Sequence, residues 1–233
     1  MISTLEKEIT FRFLKARKKD GFLNVISIFS FIGISLGVAV LIIVMSVMNG
    51  FRSELINKIV GFNSHITVKT YDSKIEDIKL NNQKLKLISK NIIFSNSGEA
   101  IILKNNTSKG IVLRGYKDNE FSKLDIINND KFKGNKLSLI NNSISIGNEL
   151  SFAYNLNIGD EISLMSPSGI ETIVGSMPKQ KTFIITSIFN SGLADFDNNI
   201  AFINLNTLEE FFSYPVSERN IEIYLNNPNN IES

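Results

Sequence analysis

The hydrophobic pattern of this chain is dominated by one apolar run, from Gly21 to Phe51, that contains no charged residue. A bilayer's hydrocarbon core is about 30 Å thick and needs roughly 20 helical residues to cross it. The run is long enough for this, so it predicts a transmembrane helix that extends beyond the bilayer. A cleaved signal peptide is disfavoured because its apolar core usually has only about 7–15 residues. A buried helix of a soluble protein is disfavoured because such helices normally carry charge on one face.

The charges that flank this run predict its orientation. More basic residues precede it than follow it, where only Arg52 and Lys58 lie close to its end. By the positive-inside rule, residues 1–20 are cytoplasmic and residues after about Arg52 lie on the outer side. The apolar positions Leu5 and Ile9 continue at helical spacing with basic residues between them, which predicts a basic amphipathic helix over residues 1–20. Such a helix either lies in the membrane interface or serves only as a basic flank.

Two features of the predicted span indicate helix or lipid contacts. Gly33 and Gly37 form a Gly-x-x-x-Gly pair, which lets another membrane helix approach closely. Bulky apolar residues recur at steps of four and three towards the outer end, and they form a stripe that either packs against a helix or lines a groove for acyl chains. The stripe consists of Val44, Met48, Phe51 and Leu55.

The residues after the span, 52–233, predict a mixed α and β extracytoplasmic domain. Alternating or apolar runs predict strands, and three- to four-residue periodicity predicts helices. Residues 100–104 and 110–114 flank Asn105-Asn106, which predicts a hairpin. The remaining predicted strands are 65–69, 161–165, 183–189, 200–203 and 221–225, and the predicted helices are 75–88, 147–155 and 208–212.

One segment of that domain, from Ser166 to Gln180, interrupts the strand pattern with two prolines and two glycines. Segments of this length without structure of their own are uncommon in compact domains and are often binding elements. We interpret it as a protruding hairpin that docks a partner; the alternative is a loop packed on its own domain. Its candidate contacts are Pro167, Ile170, Ile173, Val174, Met177, Pro178 and Lys179.

Composition and motifs point away from several classes of function. A net charge of +2 with scattered basic residues is unlike a nucleic-acid binding protein. The chain has no cysteine and only one histidine, His65, so disulfides and ordinary zinc sites are not expected. There is no phosphate-binding loop motif, and Asp160, Asp195 and Asp197 lie in turn-like or loop-like sequence where carboxylates accept backbone hydrogen bonds. No catalytic residue and no cofactor are therefore expected.

Several segments resemble the lipoprotein-releasing ABC permeases of the LolC/LolE type. They are residues 32–38 (Ile-Gly-Ile-Ser-Leu-Gly-Val), residues 46–51 (Ser-Val-Met-Asn-Gly-Phe), the Gly-Asn-Glu-Leu of residues 147–150, the Gly159-Asp160 turn and the segment 188–197. The resemblance implies a MacB/LolC-type periplasmic core domain in the bacterial inner membrane. It also implies a second permease subunit, a separate ABC ATPase, a periplasmic carrier and a lipoprotein substrate as partners.

The resemblance implies roles for the candidate residues as well. The stripe on the first span would contact acyl chains, and the segment 166–180 would be the hook that recruits the carrier. Because the family has three further membrane helices, the chain is expected to be an N-terminal fragment with an incomplete periplasmic domain. Two alternatives stay open: a macrolide-exporter-type or other mechanotransmitting permease, and a single-pass anchored periplasmic binding module.

Overall fold

The computed structural model describes residues 4–14, 21–69, 83–104, 107–128, 130–136, 139–172 and 175–227. The chain divides into two compact units, Met1–Leu55 and Ile56–Ser233. The predicted basic helix is α1 (Thr4–Leu14), and the predicted span lies within α2 (Gly21–Phe62). In the described part of the chain, α2 provides the one helix that is long and apolar enough to cross a membrane. From Val25 to Phe51 its side chains are exposed, as expected for a helix that has lipid as its solvent.

The helix α2 does not stop where charges reappear at Arg52, because arginine, glutamate and lysine are all good helix formers. It ends at Phe62, in the second unit. The next residue, Asn63, donates its backbone N–H (3.1 Å) and its side-chain Nδ2 (3.3 Å) to the carbonyl oxygen of Ile59. Both bonds satisfy a carbonyl that the helix itself leaves without a partner.

The second unit is a mixed α and β domain, as the sequence predicts. Its described helices are α3 (Gln83–Ile88), α4 (Asp118–Phe121), α5 (Asn148–Tyr154), α6 (Ala194–Asn199) and α7 (Leu205–Phe212). Its described strands are β1 (Ile66–Val68), β2 (Ser89–Lys104), β3 (Thr107–Tyr116), β4 (Lys133–Gly134), β5 (Ser143–Gly147), β6 (Glu161–Thr172), β7 (Gly175–Phe189), β8 (Ile200–Asn204) and β9 (Asn220–Leu225).

Six strands of this domain close into a ring. The strand β2 pairs with β3, then β3 with β8, β8 with β5, β5 with β7, β7 with β6, and β6 with β2 again. Two of these pairs, β3 with β8 and β5 with β7, are parallel, and the others are antiparallel. Outside the ring, β9 pairs with β2, β1 pairs with β9, and β4 pairs with β7.

Two hydrophobic cores lie on the two sides of the ring, because successive side chains of a strand point to opposite faces. Along β8, Ala201 and Ile203 belong to the first core, whereas Ile200 and Phe202 belong to the second. The first core is completed by residues of α5 and α7, and the second by the segment 121–139 and by Phe62 of α2. The end of α2 is therefore part of the domain's own core.

Most predicted elements are confirmed, with changed boundaries. The hairpin is formed by β2 and β3, although its turn residues 105 and 106 lie outside the described residues, as does the 75–82 part of the predicted helix 75–88. The prediction that Asp195 and Asp197 lie in a loop is wrong, because both belong to the short helix α6. The helix predicted from residue 208 begins three residues earlier, at Leu205, because the side chain of Asn204 accepts the N–H groups of Asn206 and Thr207 and caps it there.

Candidate functional surfaces

The apolar stripe and the glycine pair lie on a single helix, α2. At about 100° per residue, positions 33, 37, 44, 48, 51 and 55 all fall within roughly 30° of one line along the helix. A Cβ added at Gly33 or Gly37 would meet no atom within 4 Å, so this part of the face is open. Val44, Met48 and Phe51 are more than half exposed, and Leu55 is half-buried. One face of α2 thus carries small residues in its first half and bulky apolar residues in its second half.

The segment 166–180 forms a hairpin. Its strands belong to β6 and β7, and their pairing runs from Gly169 opposite Pro178 to Thr172 opposite Gly175. The register shifts between Met165 and Gly169, which separates this outer part from the inner part of the two strands. The predicted hairpin is confirmed, whereas its role in docking a partner stays a prediction. Ile173 and Val174, at the tip, lie outside the described residues.

The contacts at the base of this hairpin separate its candidate residues into two groups. Met177, Pro178 and Pro167 are exposed. Lys179 is half-buried, and its Nζ donates to the carbonyl oxygen of Glu210 (3.1 Å) and to Oγ of Ser213 (2.5 Å). A cation is favourable at this position because the last carbonyls of α7 carry partial negative charge. Lys179 therefore ties the hairpin to α7.

A cavity of about 470 Å³ lies between the second strand of the hairpin and α7. Its lining combines exposed apolar atoms of Met177 and Pro178 with the charged side chains of Lys181 and Glu210. These last two form an ion pair at 3.8 Å, with Glu210 80% exposed, which contributes little to stability. The hairpin thus presents a concave, partly apolar surface on one side.

A third surface, which the sequence analysis missed, is the contact between the end of α2 and the domain. Phe62 is 6% exposed, and its ring stacks on that of Phe196 with 4.5 Å between centroids. The rings of Phe202 and Phe189 lie 6.1 Å and 6.3 Å away. The guanidinium of Arg114, on β3, lies over the Phe62 ring at 5.3 Å from its centroid. Burial of a phenylalanine on this scale stabilises the contact by about 3–5 kcal/mol relative to alanine.

Contacts of Asp197 fix the segment 191–197, which contains Phe196. Oδ1 of Asp197 accepts the backbone N–H of Ser191 at 2.8 Å, and Asp197 is 2% exposed. Burial raises the pKa of this carboxyl above its ordinary value, and hydrogen bonds from Ser191 oppose the shift. Gly147 lies against the backbone of Asp197 so closely that an added Cβ would be 2.0 Å from its carbonyl oxygen. Gly147 and Asp197, which both lie in segments that carry the resemblance, therefore have a structural role.

A buried carboxylate lies near the same surface. Glu222 of β9 is 8% exposed and accepts hydrogen bonds from three hydroxyl groups: Ser95 Oγ (2.6 Å), Tyr116 (3.0 Å) and Tyr224 (2.9 Å). Burial and the charge of Glu222 raise the pKa of the Tyr116 hydroxyl, and the charge of Arg114 opposes this shift. The hydroxyl groups thus remain neutral donors to the carboxylate.

His65 and Asp160, which the sequence offers as chemically reactive side chains, make hydrogen bonds to the backbone. Nδ1 of His65 accepts the backbone N–H of Leu225 at 2.7 Å, so this histidine holds the start of β1 against β9. Oδ2 of Asp160 accepts the N–H of Asn157 at 2.8 Å, as predicted for a turn carboxylate. Within the described ranges, no group of three metal-binding side chains is placed to hold an ion.

The comparisons with known proteins agree with the resemblance. The family model "MacB-like periplasmic core domain" matches residues 27–233. "Lipoprotein-releasing system transmembrane protein LolC" of Neisseria meningitidis serogroup B is 26% identical, over 97% of this chain and 56% of the relative. LolE of Haemophilus influenzae is 25% identical, over 94% of this chain and 55% of the relative. The periplasmic region of MacB from Actinobacillus actinomycetemcomitans has a TM-score of 0.42 and 15% identity, over 67% of this chain and 66% of that structure.

These relatives confirm the resemblance to permeases of the LolC/LolE type, and the chain spans about half the length of the curated relatives it matches. The match to the family model extends over most of the chain and includes both α2, from residue 27, and the domain built around the six-stranded ring. The chain belongs to the family of MacB-like periplasmic core domains.

Proposed function

We propose that this chain forms part of an ABC permease that releases lipoproteins from the inner membrane and passes them to a periplasmic carrier. The observation that carries the proposal is the similarity to LolC, which extends over 97% of the chain. The ATP that drives release would be hydrolysed by a separate subunit. The domain would lie in the periplasm and residues 1–20 in the cytoplasm, in agreement with the basic residues before α2.

The face of α2 supports this proposal. The open surface at Gly33 and Gly37 suits a partner helix, such as one from a second permease subunit, because small residues allow helices to approach closely in lipid. The exposed side chains of Val44, Met48 and Phe51 continue the same face with apolar surface. Acyl chains of a lipoprotein would bind there by apolar contact, next to the partner helix.

The hairpin of β6 and β7 supports the second half of the proposal, transfer to a carrier. Protein interfaces are dominated by a few well-exposed anchors, which are often apolar and surrounded by polar groups. Met177 is 63% exposed beside Pro178, with lysine and glutamate side chains around the adjacent cavity. In this proposal Met177 and Pro178 contact the carrier, and Lys179 holds the hairpin in position through α7.

Carrier binding tests this proposal directly. The protein is purified in detergent and titrated with the purified periplasmic lipoprotein carrier. We expect Met177→Ala to weaken the affinity by about tenfold or more, the range of an interface anchor. Val216→Ala is the matched control, since Val216 is an apolar residue of the same unit that is 56% exposed and lies outside the hairpin. Equal affinities of both variants and the wild type would count against docking at the hairpin and favour the macrolide-exporter-type alternative.

The proposed contact between the stripe and lipoprotein acyl chains can be tested in membranes. A photo-crosslinking amino acid at position 48 is expected to label a lipoprotein substrate, and the same amino acid at position 42 is expected not to. Ile42 is a suitable control because it is 60% exposed, the same as Met48, yet lies about 120° around the helix from Met48. Equal labelling at both positions would show ordinary contact with lipid-anchored protein rather than a binding face.

A further inference from the structure

The last two turns of α2, from Ile56 to Phe62, belong to the second unit of the chain. We propose that Arg114 is a positioning residue that fixes the direction in which this end of α2 lies on the domain. Its importance for transport rests on the function proposed above. The contacts of Arg114 with the end of α2 do not depend on which substrate the protein transports.

The aromatic contacts of Phe62 stabilise the packing of the end of α2 on the domain, but they do not fix the direction of the helix. The Phe62 ring is stacked on Phe196, and the Phe202 and Phe189 rings are tilted at larger distances. Apolar burial is non-directional, so a small rocking of the helix would cost these contacts little. A specific orientation needs a contact with a preferred geometry.

Arg114 supplies two such contacts at the end of α2. Its Nη2 donates to Oδ1 of Asn63 at 2.7 Å, while its guanidinium lies over the ring of Phe62. The amide group of Asn63 also donates to the carbonyl oxygen of Ile59. One side chain of β3 is thereby linked, through one amide, to the backbone of the last turn of α2. A charged donor with a planar shape makes this link both strong and directional.

The position of Arg114 is itself well determined. It lies within β3, paired with Ser97 of β2 on one side and Phe202 of β8 on the other. Its charge acts on the hydroxyls of Tyr116 and Tyr224, both of which donate to the buried carboxylate of Glu222. Arg114 is therefore held between two neighbouring strands, and its charge acts on two of the donors to the buried carboxylate.

A cleft of about 180 Å³ borders the same helix end. It is lined by Lys58, Gly61 and Phe62 of α2 and by Asp125 and Ile126 of the facing segment. A Cβ added at Gly61 would meet no atom within 4 Å. The helix end is therefore not closely packed at Gly61.

A distance measurement on the full chain tests this inference. The chain contains no cysteine, so spin labels can be attached to cysteines introduced at Ile56 and Val216, both exposed positions of the second unit. The width of the distance distribution reports how firmly the end of α2 is held. The test variant is Arg114→Met, which keeps the apolar stem and loses every donor. The matched control is Lys117→Met, because the Lys117 ammonium lies over Phe94, 5.6 Å from its ring centroid, and removing it also deletes a cation and its ring contact.

We expect Arg114→Met to widen the distribution about twofold, because several helix directions become populated, and Lys117→Met to leave it unchanged. Arg114→Lys, which keeps the charge and a donor group but loses the planar guanidinium, should recover part of the wild-type width. An unchanged width in Arg114→Met would overturn the inference. A lower thermal midpoint without a change in width would overturn it too, since Arg114 would then only stabilise the domain.

A second measurement separates this inference from the proposed function. Proteoliposomes that contain the complete permease and its ATPase are assayed for lipoprotein release. Loss of release in Arg114→Met, with release intact in Lys117→Met, extends the positioning role to transport. No release by the wild type would count against the proposed function and leave the distance result standing.

Discussion

The contact of Gly147 with α6 allows a sharp prediction for a single added methyl group. In Gly147→Ala the new Cβ would lie 2.0 Å from the carbonyl oxygen, 2.4 Å from Cα and 2.5 Å from the carbonyl carbon of Asp197. Favourable contacts between carbon atoms begin near 3.5 Å, so each overlap exceeds an ångström or comes close to it. All three atoms are backbone, and no rotation of a side chain can relieve the overlap. The structure must separate the end of β5 from α6, which places the cost at the upper end of the overpacking range, about 3 kcal/mol.

The assay is thermal unfolding of the full chain in detergent, followed by circular dichroism. For a domain of this size, a loss of about 3 kcal/mol lowers the midpoint by roughly 6–12 °C. Gly110→Ala is the control, because a Cβ there would meet nothing within 4 Å, and we expect its midpoint to stay close to that of the wild type. Gly98→Ala should be intermediate, since the nearest atoms, at 2.7 Å, belong to the Phe212 side chain and can move. A midpoint for Gly147→Ala equal to that of Gly110→Ala would refute the packing of β5 against α6.

Three further outcomes are expected for the same preparation. Burial raises the pKa of the Asp197 carboxyl, so its contribution to stability is fully present below about pH 4, the ordinary aspartate value, and is lost as the pH rises through the raised value. Relative to Asp197→Asn, the wild type should therefore lose stability as the pH rises above about 4, and a relative gain would contradict the burial argument. Arg219→Lys replaces the paired contacts to Glu209, at 2.6 Å and 2.7 Å, by a single one and should cost about 1–3 kcal/mol in urea unfolding, with Lys117→Met as a neutral reference. Tyr116→Phe removes one of the three hydroxyl donors to Glu222 and should cost about 1–3 kcal/mol; no loss would show that the carboxylate does not need this donor.

Local sequence signals were enough to predict the elements whose structure is set by neighbouring residues. The apolar run predicted α2, and alternation with a central Asn-Asn predicted the hairpin of β2 and β3. The prolines and glycines of the segment 166–180 marked its hairpin correctly, since they occur at the register shift and at Gly175, whose φ is +122°. Each of these features depends on residues that are close in sequence.

Features that depend on distant residues were missed or misjudged. Asp195 and Asp197 lie in sequence with the composition of a turn, yet they belong to the short helix α6, whose Phe196 packs on the distant Phe62. Glu222 lies between two isoleucines in a predicted strand. This charge in an apolar strand is the sequence signal of a buried, hydrogen-bonded carboxylate. Its donors Ser95 and Tyr116 lie more than 100 residues earlier, and only the fold brings them together.

The packing of Phe62 against residues much later in the chain also sets an order of events during biosynthesis. Phe62 leaves the ribosome long before Phe189, Phe196 and Phe202, the rings against which it packs. Closing so long a loop carries an entropic cost that only the completed contacts repay. Until the segment up to Phe202 has been synthesised, the end of α2 lacks the aromatic rings against which it packs, and the Phe62 ring has no partner of this kind. The second core can therefore be completed only late in synthesis, although its first aromatic residue, Phe62, is made early.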